Sequence, residues 1–207
     1  MTETEGKART RLCVDLCSGL GGFSQAFVDA GWEVVTVDVE PKFKPTIIED
    51  VRKLTVARLS EATRLGDLKA YGKVIMLMSP PCRFLSRAPG LGAVRKGTAE
   101  AVEIVAGCLR LVEEIQPAGF LLENPFGSYL RFFIGRPNFN VRLGGFGYKT
   151  VKPTAFWGNI NIMQPDSPKK NKSLNAFSNW SRNKPEVRAK MPLGLSQAIL
   201  ENVESLA

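Results

Sequence analysis

The chain has 207 residues, 44% of them apolar, as in one ordinary globular domain, and its net charge of +8 with a pI near 9.5 suits a polyanionic partner. It contains no histidine, so a Cys–His protease or a Ser–His–Asp hydrolase lacks its usual base, and a zinc deaminase lacks its ligand set. No apolar run reaches the ~18–20 residues of a membrane span. The opening MTETEGKARTR has no apolar signal core. Cys13, Cys17, Cys82 and Cys108 have neither zinc-finger spacing nor the density of a disulfide scaffold, so no metal and a reducing cytoplasm are expected.

In chain order, residues 1–10 read as a flexible tail. Arg11 to Cys17 then reads as a buried strand running into a glycine-rich turn, and Gly22 to Ala30 as a helix ended by Gly31. Glu33 to Val39 is a valine-rich strand, Thr46 to Ile48 a short third one, and Leu54 to Ala70 is broadly helical. Lys73 to Met78 is a fourth strand stopped by Ser79-Pro80-Pro81, followed by a Gly/Arg-rich loop to Gly97. Thr98 to Ile115 has a helical repeat, with Val102, Ile104, Val105, Cys108, Leu109, Leu111 and Val112 supplying a broad apolar face. Gly119 to Leu122 is a fifth strand stopped by Asn124-Pro125, Tyr148 to Trp157 is expected to contain a strand pair, and Leu195 to Leu206 is a last helix. This alternation predicts a parallel sheet with helices on both faces, in one domain spanning 1–207. Gln164 to Pro192 is polar and basic without periodicity, and reads as a surface loop.

In such sheets, ligands bind outside the carboxyl ends of the strands. Asp15 to Gly22, Asp38, Asp50, Ser79 to Cys82 and Glu123-Asn124 all fall there. The run Asp15-Leu-Cys17-Ser-Gly19-Leu20-Gly21-Gly22-Phe23 follows a strand and opens a helix, so its glycines let a ligand approach the backbone. The dinucleotide fingerprint needs a third glycine at position 24, where Ser24 stands, which favours a nucleoside without a pyrophosphate. Asp38 ends the second strand 19 residues after Gly19 and can accept from both ribose hydroxyls; Asp50 can accept from an adenine amino group.

Cys82 follows two prolines, each of which fixes its own φ and restricts its predecessor. A carboxylate, Glu123, ends the neighbouring strand. A thiolate can attack an electron-poor ring carbon while a protonated carboxyl donates to the ring nitrogen that gains charge. This is the chemistry that cytosine C5 needs, because that carbon is not nucleophilic until an adduct forms at C6.

On these residues the sequence resembles the DNA cytosine-C5 methyltransferases, closest in style to compact, phage-type enzymes. The resemblance implies a Rossmann-like fold and S-adenosylmethionine as cofactor. It implies cofactor contacts at Asp15 to Phe23, Asp38, Val39, Asp50, Val51, Ser79 and Pro80. It makes Cys82 the nucleophile and Glu123 the group that holds and protonates a flipped cytosine. Lys152-Pro-Thr-Ala-Phe-Trp157 resembles a basic-polar strand of the family, and the helix from Leu195 resembles its final motif. The implied partner is DNA, with RNA the lesser alternative. Arg83, Arg87, Arg95 and Lys96, in or next to the loop after the nucleophile, are expected to contact phosphates.

Several positions depart from the family. Cys17 stands where phenylalanine is usual and Val39 where an aromatic is common; Arg83 replaces a glutamine, and Pro125 a valine. The usual Gln-x-Arg-x-Arg strand is missing, with Lys149 and Lys152 as substitutes. About 35 residues separate Gly158 from the last helix, too few for a full target-recognition domain. The segment 164–192, with Lys169, Lys170 and Lys172, stands in its place as a DNA contact. Rival readings are an amino-group or RNA methyltransferase, or a catalytically silent cofactor- or nucleic-acid-binding module. Amino-group enzymes put an aromatic where Cys82 stands, and the common RNA C5 enzymes put their nucleophile where Glu123 stands.

Overall fold

The computed structural model describes residues 10–85, 91–165 and 189–205. Its apolar runs become the strands β1 (Arg11–Leu16), β2 (Glu33–Asp38), β3 (Ile47–Ile48), β4 (Lys73–Met78) and β5 (Gly119–Pro125), joined by β6 (Phe139–Arg142) and β7 (Pro153–Gly158). They form one seven-stranded sheet in the order β3-β2-β1-β4-β5-β7-β6. The first five strands are parallel; β7 runs antiparallel to β5, and β6 antiparallel to β7. This mostly parallel sheet agrees with the Rossmann-like methyltransferase architecture expected from the resemblance.

Side chains alternate across each strand, and both faces are apolar. Leu12, Val14, Leu16, Met76, Met78 and Leu122 lie on one face under helix α3 (Leu91–Ile115), which contributes Val105, Cys108 and Leu111. Cys13, Ile75, Leu77, Leu121 and Phe156 lie on the other. There they meet Phe27 of the short helix α1 (Gln25–Asp29) and Leu195, Ile199 and Val203 of helix α4 (Leu193–Ser205). The spacing i, i+4, i+8 puts those last three residues on one stripe. Each is fully buried, worth about 2 kcal/mol apiece.

Four boundaries differ from the sequence expectation. The stretch 54–70 is helical only over Val56–Glu61 (α2), after which Gly66 at φ +66° breaks the backbone and a 3-10 turn covers Leu68–Ala70. Helix α3 begins at Leu91 rather than Thr98, so Arg95 and Lys96 lie on a helix and not in a loop. Strand β5 continues through Glu123 and Asn124 to Pro125, because β7 pairs along it to that point. The expected strand pair within 148–157 is only β7. Its partner β6 lies earlier, and the 3-10 turn Leu143–Phe146 intervenes. The expected tail lies outside the described residues except for Thr10. Among the described residues no helix is long and apolar enough to cross a membrane.

Candidate active site

The carboxyl ends of β1, β2, β4 and β5 form one edge. After β1 the chain enters a tight turn in which Cys17, Gly19 and Gly21 adopt φ of 56°, 51° and 67°. Gly21 N–H donates to Ser18 O at 2.9 Å. A side chain at 19 or 21 would be strained, and a Cβ there would meet nothing within 4 Å, so the space before the turn is open. Leu20 and Val39, 41% and 61% exposed, flank it. Asp38 closes the turn from β2: Oδ2 accepts from Gly19 N–H at 2.8 Å and Oδ1 from Glu40 N–H at 2.9 Å. A carboxylate has about four acceptor sites, so both oxygens retain capacity for ribose hydroxyls. The open turn and this carboxylate fit a nucleoside cofactor.

Other residues of the run serve the fold itself. Phe23 is buried in the core, its ring centroid 6.3 Å from that of Phe156, so its side chain is not on a ligand surface as expected. Gly22 is required because a Cβ there would come within 2.5 Å of Met191 O. Asp15 is fully buried behind the turn; its Oδ2 accepts from Ser24 Oγ at 2.6 Å, and Oδ1 has no partner among the described residues. Burial pushes its carboxyl up to about 7, eased by the Ser24 hydrogen bond and reinforced by the charge of Asp38. Cys17 hydrogen-bonds Cys108, which together with burial raises its thiol and keeps it a neutral, apolar-packed side chain.

Because the Ser24 hydroxyl is spent on Asp15, it makes no cap hydrogen bond to α1, which it precedes. Ser196 of α4 supplies the missing acceptor: its Oγ accepts from Ala26 N–H at 3.0 Å and donates to Phe23 O at 2.7 Å. The helix behind the glycine turn is thus capped from the far end of the chain. No local sequence signal announces this role.

Asp50 differs from its expected part as an open adenine acceptor. Arg52 Nε reaches its two oxygens at 3.0 and 2.9 Å, and Arg52 N–H donates to Oδ1 at 2.9 Å. The Arg52 hydrogen bonds hold its carboxyl below the usual range, against some burial. Arg52 also pairs with Glu103 at 3.3 Å, so the guanidinium ties β3's exit to α3. The spacing of Asp50 and Arg52 is visible in the sequence, but nothing there marks it as a clamp. Val51 is buried in the core, which leaves its backbone as the available contact.

The candidate reacting groups sit where β4 and β5 end. Met78 pairs with Leu122, so Ser79 and Glu123 come next on adjacent strands. Ser79 N–H donates to Leu16 O at 3.1 Å, while its buried Oγ has no partner among the described residues. Asn124 Nδ2 donates to Pro80 O at 3.3 Å, fastening the Pro80-Pro81-Cys82 segment to β5. Cys82 is exposed at the tip of that segment. Glu123 is 5% exposed, and its Oε1 lacks a partner among the described residues. Burial raises its carboxyl above the ordinary range, opposed by the charge of Lys152. The arrangement therefore holds an exposed thiol, and beside its strand a buried acid that retains its proton more readily than a surface glutamate.

The basic residues divide. Arg83 is exposed, its guanidinium 5.2 Å from the Phe84 ring centroid. Lys149 is exposed at the edge before β7. Lys152, at φ 27°, lies half-buried with its ammonium 5.2 Å from the Tyr148 ring centroid, and its charge acts on Glu123. Arg87, Lys169, Lys170 and Lys172 lie outside the described residues. Among the described residues no cluster of His, Cys, Asp and Glu could hold a metal ion.

Comparison with known proteins agrees with this geometry. The family profile described as C-5 cytosine-specific DNA methylase matches residues 12–127. The type II methyltransferase M.HgiGI of Herpetosiphon aurantiacus is 31% identical over 116 residues, spanning 54% of this chain and 87% of that protein. The type II methyltransferase M.HgiDI of the same organism is 29% identical over 119 residues, spanning 54% of this chain but 36% of that protein.

Proposed function

The chain belongs to the C-5 cytosine-specific DNA methylase family, and on that premise we propose that it transfers a methyl group from S-adenosylmethionine to C5 of a DNA cytosine through a covalent adduct on Cys82. The observation that carries the reading is the pairing of exposed Cys82 with buried Glu123, whose carboxyl burial raises, on neighbouring strand ends tied by Asn124. The turn Gly19 to Gly21, Asp38, Leu20, Val39 and Ser79 would hold the cofactor, which supplies an electrophilic methyl group.

The target base must leave the duplex to reach a strand-end cleft. The Cys82 thiolate adds to C6, forming a C6–S bond, while Glu123 gives its proton to N3. C5 thereby becomes nucleophilic and would take the methyl group that S-adenosylmethionine supplies, with S-adenosylhomocysteine as the leaving group. Water removes the C5 proton, the C6–S bond breaks, and the N3 proton returns to Glu123. Glu123 fits this part because burial raises its carboxyl above the ordinary range, and Lys152 restrains the shift. Arg83, Arg87, Arg95, Lys96, Lys149, Lys152 and the lysines at 169, 170 and 172 would contact phosphates. The Asp50–Arg52 clamp favours a second reading, a catalytically silent binding module, because it occupies a carboxylate that the family offers to adenine.

DNA containing 5-fluorocytosine separates the two. A covalent protein–DNA species that forms with the parent and is missing in Cys82→Ser supports the adduct mechanism. Full methyl transfer by Cys82→Ser would refute it.

A further inference from the structure

Beyond β5 lies a second cleft, of about 550 Å3, within the ~300–1,000 Å3 range of small-ligand sites. It is lined by Phe126, Arg131, Phe132, Arg136, Asn140 and Trp157, among others. Trp157 is the buried floor, its indole N–H fixed on Gly135 O at 2.9 Å. Phe126 and Phe132 are the walls, 59% and 69% exposed. Aromatic side chains that a soluble protein leaves exposed together mark a binding surface. The Arg131 guanidinium lies 4.8 Å from the Phe132 ring centroid, and the lining includes Arg131 and Arg136 but no acidic residue. Trp157 and Ala155 of its lining pack on the α3 face of the sheet, in the same core as Leu85 and Phe84. Ser128, also in its lining, donates from Oγ to Leu85 O at 3.0 Å.

We infer that this cleft binds an unpaired nucleotide of the substrate strand beside the target cytosine, its base against Phe126 and Phe132 and its phosphate on Arg131 and Arg136. Aromatic faces accept any base, and two cations without a competing carboxylate complement a phosphate. A single-stranded or locally melted stretch of substrate presents such a nucleotide, and Phe126 of the cleft follows Glu123 by three residues. The inference rests on the proposed function only in taking the strand to be DNA.

The test is equilibrium binding of a fluorescein-labelled oligodeoxythymidine of about a dozen nucleotides to the full chain. That probe contains no cytosine and so does not engage Cys82 or Glu123. The double variant Arg131→Ala/Arg136→Ala should bind more weakly, and its log K against log salt should be shallower by about 0.7, the worth of one single-strand phosphate. Phe132→Ala should lose about tenfold in affinity at an unchanged slope, and Phe132→Trp should recover it. These side chains are exposed, so thermal melting of the variants should match the parent. Parent-like affinity and slope in the double variant, unchanged affinity in Phe132→Ala, or no binding by the parent would each overturn the inference. Binding that responds as described in a chain that transfers no methyl group would sink the proposed function and leave this site standing.

Discussion

Asp15→Asn should flatten the dependence of folding stability on pH. In the folded chain the Asp15 carboxyl is pushed up to about 7 from an ordinary 3.8, mainly by burial. A raised carboxyl stabilises the fold fully below the unfolded value, and that contribution is lost as pH rises through the folded value. The whole shift corresponds to about 4 kcal/mol, at ~1.36 kcal/mol per pH unit, and roughly 2–3 kcal/mol of it is lost between pH 5 and pH 8. The carboxyl is fully buried, so solvent screening does not reduce the figure. Asparagine keeps an oxygen to accept from Ser24 but adds an amide that needs an acceptor, at a pH-independent cost of about 1–3 kcal/mol. Urea denaturation of parent and variant at pH 5, 6, 7 and 8 should give curves that converge or cross as pH rises. Glu123, whose carboxyl burial also raises, contributes equally to both and cancels in the difference. Parallel curves, offset by a constant, would refute the assignment of the shift to Asp15.

Glu123→Gln should lower single-turnover methyl transfer by at least ~10²-fold, the usual worth of a general acid, with a smaller effect on DNA affinity; near-parent turnover would make Glu123 a structural carboxylate. Because Lys152 opposes the upward shift at Glu123, Lys152→Met should move the alkaline limb of the rate profile to higher pH, and a limb that stays put or moves down would disprove the coupling. Ser196→Ala strips a buried donor and a buried acceptor of their partner at once and should cost about 2 kcal/mol in urea denaturation; a loss within about 0.5 kcal/mol of zero counts against the cap from α4. Changing Lys169, Lys170 and Lys172 together to Ala should weaken duplex binding on all sequences and make its salt slope shallower by about 0.9 for each phosphate these lysines neutralise, whereas an equal slope would assign the stretch no DNA contact.

The parallel strands were legible because burial on both faces writes them as unbroken apolar runs: β4 begins and ends where Lys73 and Met78 predicted. Strand β6 was not, since Asn140 and Arg142 face solvent and leave Val141 as its one buried residue. The strand-end positions of Cys82, Glu123 and Asp38 followed from punctuation by proline, glycine and acid. What stayed hidden was the division of labour inside the glycine run. Sequence shows that Phe23 and Gly22 adjoin a ligand turn, but not that one fills the core and the other makes room for Met191. Such roles depend on residues about 170 positions away, and no window along the chain contains both partners.

That distance bears on how the protein is made. Ala26 N–H waits for Ser196, Arg11 for Glu204, and the Lys73 ammonium for Val203 O, contacts that close 170, 193 and 130 residues. Closing loops of this length carries an entropic cost that local contacts do not, and slows folding. A ribosome-bound chain ending before Leu193 has already committed Phe27, Ile75 and Leu77 to a sheet face whose covering helix does not yet exist. The α3 face can close during synthesis; the face behind the glycine turn can do so only after helix α4 has emerged, and until then it is a sticky surface for chaperones or for other nascent copies.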